Sequence, residues 1–172
     1  MSKGPQSIAP GDQVRVSVTV RLGADAAFAL FTGEIDRWWR RGPKFRNAGA
    51  RSGLIHLEPD VGGRLFESIE TDKGTIVVEV GRVTVWEPAK RLVFSWRSSN
   101  FAPRESTEVE VVFQSVGAGT TVTVTHRGWS TLPSDHPVRH GLEPVAFCRM
   151  MGLWWGDQMS SLRELAGQGR SR

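Results

Sequence analysis

The chain of 172 residues has one cysteine, Cys148. A lone thiol can form no internal disulfide and no cysteine-based zinc cluster, so packing alone has to hold the fold. No apolar run approaches the roughly 20 residues that cross a bilayer as a helix. The opening MSKGPQSIAPG has no apolar stretch of the kind a secretory signal requires, and a cytoplasmic location is the expectation. A phosphate-binding glycine loop, a nucleophile elbow and a paired-carboxylate motif are also missing, and with them the commonest nucleotide-binding and hydrolase readings. No cofactor is expected.

The composition is 39% hydrophobic, with 22 Lys+Arg against 18 Asp+Glu, a formal net charge of +4. That length and apolar content suit one substantial core and are short for two. The first 13 residues are rich in Gly, Pro and Ser, and residues 167–172, GQGRSR, are small or charged. Both are expected to be frayed tails around a single folded unit at 14–166.

VRVSVTVRL alternates strictly, setting Val14, Val16, Val18 and Val20 on one side and Arg15, Ser17, Thr19 and Arg21 on the other. This is the period of a half-buried strand. ADAAFALFT carries Phe28 and Phe31 at helical spacing, Gly33 offers a stop, and EIDRWW reads as a second short helix ended by Pro43. From Leu54 to Arg127 short alternating runs separated by turn residues predict an antiparallel meander. Within TIVVEVGRVTVW the apolar phase passes from Ile76, Val78 and Val80 to Val83 and Val85, which predicts a bulge or bend at Gly81. Pro144 can open a last helix running to about Ala166. In it Phe147, Cys148, Met151, Trp154, Trp155, Met159, Leu162 and Leu165 form one broad stripe.

A strand, two short helices, six more strands and a long amphipathic helix follow the order of the helix-grip fold, an α+β architecture. There a curved antiparallel sheet of about seven strands wraps the last helix and leaves a cavity between them. FTGEIDRWW, EPDVGGRLFES, GRVTVWEPAKRLVFSW, TTVTVTHRGW and GLWWGDQMSSLRELA resemble, in order and spacing, bacterial domains similar to the C-terminal domain of the activator of the heat-shock-protein-ninety ATPase. These belong to the START-like, or SRPBCC, superfamily of the birch-pollen allergen. The fold hosts many functions, so activity has to be argued from the site.

The resemblance implies that the segment around Trp38 and Trp39 covers the cavity. Neighbouring helical residues diverge by about 100°, so one indole is expected to enter the cavity and the other to cap its rim or stack under an arginine. The expected walls are Trp38 or Trp39, Phe66, Phe94, Trp96, Phe113, Trp154 and Trp155, with His126 and Gln158 as polar anchors. His126 shares phase with Val122 and Val124 and should face inward. There it is a ligand anchor, a general base, or a hydrogen-bonded structural histidine. Gln158 lies within the apolar stripe of the last helix, where an amide needs a partner. Glu67, flanked at spacing two by Leu65 and Ile69, either faces the cavity or pairs with Arg64 or Arg82.

Asp135, His136 and His140 lie close together in SDHPVRH, but Pro137 spoils helical spacing, so no metal site is expected. The run Arg37, Arg40, Arg41, Lys44, Arg46 and Arg51 suits an acidic protein partner better than nucleic acid, because no nucleic-acid-binding module accompanies it. Three functions stay open: binding of a small lipophilic or aromatic molecule, co-chaperone-like stimulation of a heat-shock chaperone ATPase, and an enzyme of the cyclase, dehydratase or hydrolase kind with His126 as acid/base. Antiparallel edge strands and surface tryptophans also fit a homodimer.

Overall fold

The computed structural model describes residues 9–168, so parts of both expected tails, 1–8 and 169–172, lie outside the described residues. Alternation carries directly into β1 (Gln13–Val20), where Val14, Val18 and Val20 are buried and Arg15, Ser17 and Thr19 exposed. Two short helices follow, α1 (Ala24–Gly33) and α2 (Ile35–Trp38), burying Ala27, Phe28, Phe31, Ile35 and Trp38. The meander comprises β2 (Gly53–Leu57), β3 (Arg64–Thr71), β4 (Gly74–Glu87), β5 (Arg91–Trp96), β6 (Thr107–Val116) and β7 (Gly119–Arg127). Two 3-10 turns, Trp129–Thr131 and Pro137–Arg139, lead into α3 (Pro144–Gln168).

All seven strands join one antiparallel sheet in the order β1-β7-β6-β5-β4-β3-β2. This is the expected α+β helix-grip fold. The first strand closes against the last, with Val16 opposite Val124, and threonine and serine hydroxyls pair across the outer face, Ser17 to Thr123 at 2.8 Å. α3 lies across the inner face and buries Phe147, Met151, Trp155, Gln158, Met159, Leu162 and Ala166. Val145 and Leu153 of α3 are exposed.

The sheet curls around α3 because β4 changes partner and phase along its 14 residues. Its first part pairs with β3 and its second with β5. Val80 is an extra residue between Glu79, opposite Phe66, and Gly81, opposite Leu65, while Thr84 is another between Val83 and Val85. Bulges of this kind raise local twist and bend a strand. Val80 and Gly81 are accordingly consecutive buried residues, which simple alternation does not allow. At Gly81 the neighbouring strand comes so close that a Cβ would sit 1.7 Å from the Ser95 carbonyl oxygen.

Gly11 and Asp12, expected within the N-terminal tail, are anchored to the folded unit. Asp12 accepts from Trp129 N through its carbonyl and from Ser130 N through its carboxylate, both at 3.1 Å, and Gly11 O receives the Cys148 thiol at 3.2 Å. Polar backbone and short side chains anchor this segment without apolar burial, which composition cannot register. At the other end Gly167 and Gln168, expected in the C-terminal tail, form the last residues of α3.

Gly81→Ala is expected to destabilise the chain by about 2–3 kcal/mol, as overpacking against backbone does. Gly156→Ala on α3, where a Cβ meets nothing within 4 Å, should instead gain up to about 1 kcal/mol. Urea unfolding of both variants checks the contrast, and a neutral Gly81→Ala would contradict the bend geometry.

Candidate functional site

A cavity of about 600 Å³ lies where the curled sheet, a covering segment at 39–49 and α3 meet. Ile55 of β2, Leu65 and Glu67 of β3, Val80 at the β4 bulge and Trp96 at the end of β5 contribute from the sheet. Phe147, Met150, Met151, Leu153 and Trp154 contribute from α3, and Trp39, Phe45 and Asn47 from the covering segment. Val138 and His140 close the remaining side.

The covering segment is docked on α3 by polar bonds. The Trp154 indole donates to the Lys44 carbonyl at 2.9 Å, and the Trp39 indole donates to the Phe45 carbonyl at 3.0 Å. Gln158 Oε1 accepts the Arg40 backbone N–H at 2.8 Å, and Arg40 Nε donates to the Asp157 carbonyl at 2.8 Å. Arg46, only 5% exposed, turns its guanidinium inward to Asp36 Oδ1 at 2.6 Å and to the carbonyls of Asp36, Trp39 and Arg40. Burial pulls the Asp36 carboxyl pKa up, but the Ile55 N–H, Arg46 and Arg41 outweigh it and hold it below its ordinary value.

Of the expected wall residues, Trp39, Trp96 and Trp154 line the cavity. Trp38 does not: it is fully buried, 4.6 Å from the Phe31 ring, with its indole donating to the Phe31 carbonyl. Neither indole lies under an arginine; the cations over rings among the described residues are Lys44 on Phe45, Arg64 on Phe66 and Arg139 on Phe147. Phe94 and Phe113 belong to the solid core, Phe113 against Phe28 at 5.1 Å and Phe31 at 5.8 Å. Phe66 points out of the other sheet face, stacked on His56 at 4.8 Å with Arg64 above it. Strand parity explains the correction, since Leu65, Glu67 and Ile69 take the inner face.

His126 and Trp155 lie behind the cavity wall, both fully buried. The Trp155 indole can only donate, so His126 Nδ1 accepts from it at 3.1 Å, and Nε2 must carry the proton. Nε2 then donates to Thr107 Oγ1 at 2.7 Å, and the Thr107 hydroxyl donates to the Trp96 carbonyl at 3.2 Å. Both ring nitrogens are thus engaged within the protein, and burial drives the imidazole pKa down to about 3. The expected anchor is a neutral structural histidine. Gln158, the other expected anchor, is also fully buried, held through its oxygen by Arg40 while its Nε2 has no partner.

The sequence reading missed Phe45, Ile55, Val80, Phe147, Met150 and Leu153 as cavity residues. For Phe147 the stripe of α3 held the signal; for Phe45 and Ile55, lying in a turn and a short strand, no periodicity marks the cavity side. Glu67 faces the cavity and accepts backbone N–H groups, while Arg64 and Arg82 pair with Glu58 and Glu79. His136 bonds Glu105 at 2.9 Å, and its Nδ1 accepts the Val138 N–H. The basic run is largely paired within the chain, Arg37 to Glu34, Arg41 and Arg46 to Asp36 and Lys44 to Asp157.

The family model described as activator of Hsp90 ATPase homolog 1-like protein matches residues 22–166, from the end of β1 through nearly all of α3. The chain belongs to this family. Among solved structures, this activator-homologue domain resembles a Nitrosomonas europaea protein at 15% identity and a TM-score of 0.64, covering 96% of this chain and 100% of that one. An HSP90 activator from Plasmodium falciparum matches at 19% identity and 0.60, covering 91% and 96%. The Aha1 dimer from Colwellia psychrerythraea matches at 16% and 0.60, covering 92% and 98%. At these identities the likeness is one of fold. No curated protein sequence matches the chain. Among the described residues no helix is long and apolar enough to cross a membrane.

His126 makes a directional prediction. Its folded pKa of about 3 lies below the ordinary histidine value of 6.5, so the unfolded chain binds the extra proton. Stability is therefore complete above about pH 6.5 and falls as pH drops from there toward 3, by at most about 1.4 kcal/mol per pH unit. Asp36, Glu105 and Glu110, whose values are also lowered, add their losses only in the carboxylate range. Urea midpoints between pH 7 and 5 should slope downward in the native chain and flatten in His126→Gln. A flat native profile would contradict the buried neutral ring.

Proposed function

We propose that this activator-homologue domain binds a small lipophilic or aromatic molecule in the cavity between sheet and α3, without catalysing a reaction on it. One observation carries the reading: about 600 Å³ of space walled by Trp39, Phe45, Trp96 and Trp154. Small-molecule sites span roughly 300–1,000 Å³ with mostly apolar and aromatic linings and a few polar groups. Leu153, 70% exposed at the cavity edge, supports the same reading, since an apolar lip aids entry of an apolar guest. Against an enzymatic role stands the engagement of His126, the acid/base candidate, with Thr107 and Trp155.

A neutral apolar probe such as 1-adamantanol should change the tryptophan emission saturably, because three of the seven tryptophans line the cavity. Trp154→Ala should weaken that binding about tenfold, or about 1.4 kcal/mol. Absence of any response to a series of apolar probes would reject the reading.

A second reading, stimulation of a heat-shock chaperone ATPase, is favoured by the family description and by the Plasmodium falciparum relative described as an HSP90 activator. Arg37 and Arg41, more than half exposed beside their acidic partners, would then face an acidic surface of the chaperone, with Arg40 adjoining them. Adding the purified chain to the cognate chaperone should raise ATP turnover, and Arg37→Glu/Arg41→Glu should abolish the rise. Unchanged turnover removes this reading and leaves the binding role intact.

A further inference from the structure

Four charged side chains line the cavity: Lys44, Arg46, Glu67 and Arg97. The three cations have partners of their own. Lys44 Nζ reaches Asp157 at 3.2 Å, Arg46 is bound to Asp36, and the Arg97 guanidinium donates to the carbonyls of Ala102 at 2.9 Å and Pro103 at 3.1 Å. Glu67 differs. It is 2% exposed, and among the described residues its carboxylate oxygens accept only the backbone N–H groups of Asn47 at 3.0 Å and Ala48 at 3.1 Å. Among the described residues it forms no ion pair, because neighbouring Arg64 and Arg82 belong to Glu58 and Glu79.

A carboxylate offers about four acceptor positions, of which the two N–H groups occupy two. Placing such a group in an apolar wall without a counter-charge is costly, and a cation delivered by a ligand would offset that cost. The same cavity presents the rings of Trp39, Phe45, Trp96 and Trp154, and aromatic faces attract cations as well as apolar surface. We propose that the cavity selects an amine: a protonated nitrogen set against Glu67, carried on an apolar skeleton that fills the space between the tryptophans. This inference rests on the ligand-binding reading and adds the chemical class of the guest.

Calorimetric titration at pH 7 with three probes on one skeleton, 1-adamantylamine, 1-adamantanol and 1-adamantanecarboxylate, separates the two claims. The amine should bind at least tenfold more tightly than the alcohol, and the carboxylate most weakly. Glu67→Gln should remove the amine's advantage over the alcohol, and measurable alcohol binding by the variant shows that the cavity survives the substitution. Alcohol binding equal to or tighter than the amine, a preference for the carboxylate, or an amine preference retained by Glu67→Gln would overturn the amine assignment and leave the cavity reading standing. If the Gln variant does not fold, the ranking in the native chain decides. Silence from all three probes, with tryptophan emission unmoved, would sink both.

Discussion

The bond between the buried Arg46 guanidinium and the half-buried Asp36 carboxylate is the constraint on which the cavity depends. A guanidinium withdrawn from water must place its donors, and Arg46 places them on the Asp36 carboxylate and on the carbonyls of Asp36, Trp39 and Arg40. Asp36 also receives the Ile55 N–H, so one carboxylate ties α2, the covering segment and β2 together. Held in this way, the covering segment acts as a strut. Collapse onto the sheet would pull the Arg46 guanidinium, withdrawn from water, away from its acceptors, which favours the open space between sheet and helix.

The opposite wall is stiffened by a second polar arrangement. Trp155, His126, Thr107 and the Trp96 carbonyl form an unbroken donor-to-acceptor chain that leaves each of its linking groups satisfied. Fully paired polar groups in a core fix one arrangement of side chains where apolar packing alone would tolerate several. Trp96, which lines the cavity, is held at its carbonyl by the end of this chain. Packing around the chain is dense, with the His126 ring 4.4 Å from Trp129 and Trp129 4.8 Å from Phe147.

The adjacent tryptophans at the end of α2 show how local geometry and a tertiary fact divide. Trp38 enters the core as the last residue of α2, while Trp39, which follows it in extended conformation, turns to the cavity with its ring still 5.5 Å from that of Trp38. That Trp39 then meets Trp154 and Trp155, at 5.7 and 6.0 Å, depends on where α3 passes, over a hundred residues later in the chain. Glu67 and Phe66 make the same point on one strand. Parity separates them onto two faces, but only the placement of α3 says which face is inside.

Sequence alone determined the phases of β1, β5, β6 and β7, the bend at Gly81, the amphipathic α3 and hence the helix-grip fold, because each of these follows from the spacing of apolar residues along a few neighbouring positions. It did not determine the phase of β3, where Phe66 was expected inside. Only the tertiary structure decided which aromatics are solid core and which are cavity wall, that His126 is sealed, and that Gly11 and Asp12 are anchored. These outcomes rest on single hydrogen bonds between residues far apart in the chain, and on where α3 passes over the sheet; neither leaves a periodic trace in the order of the residues.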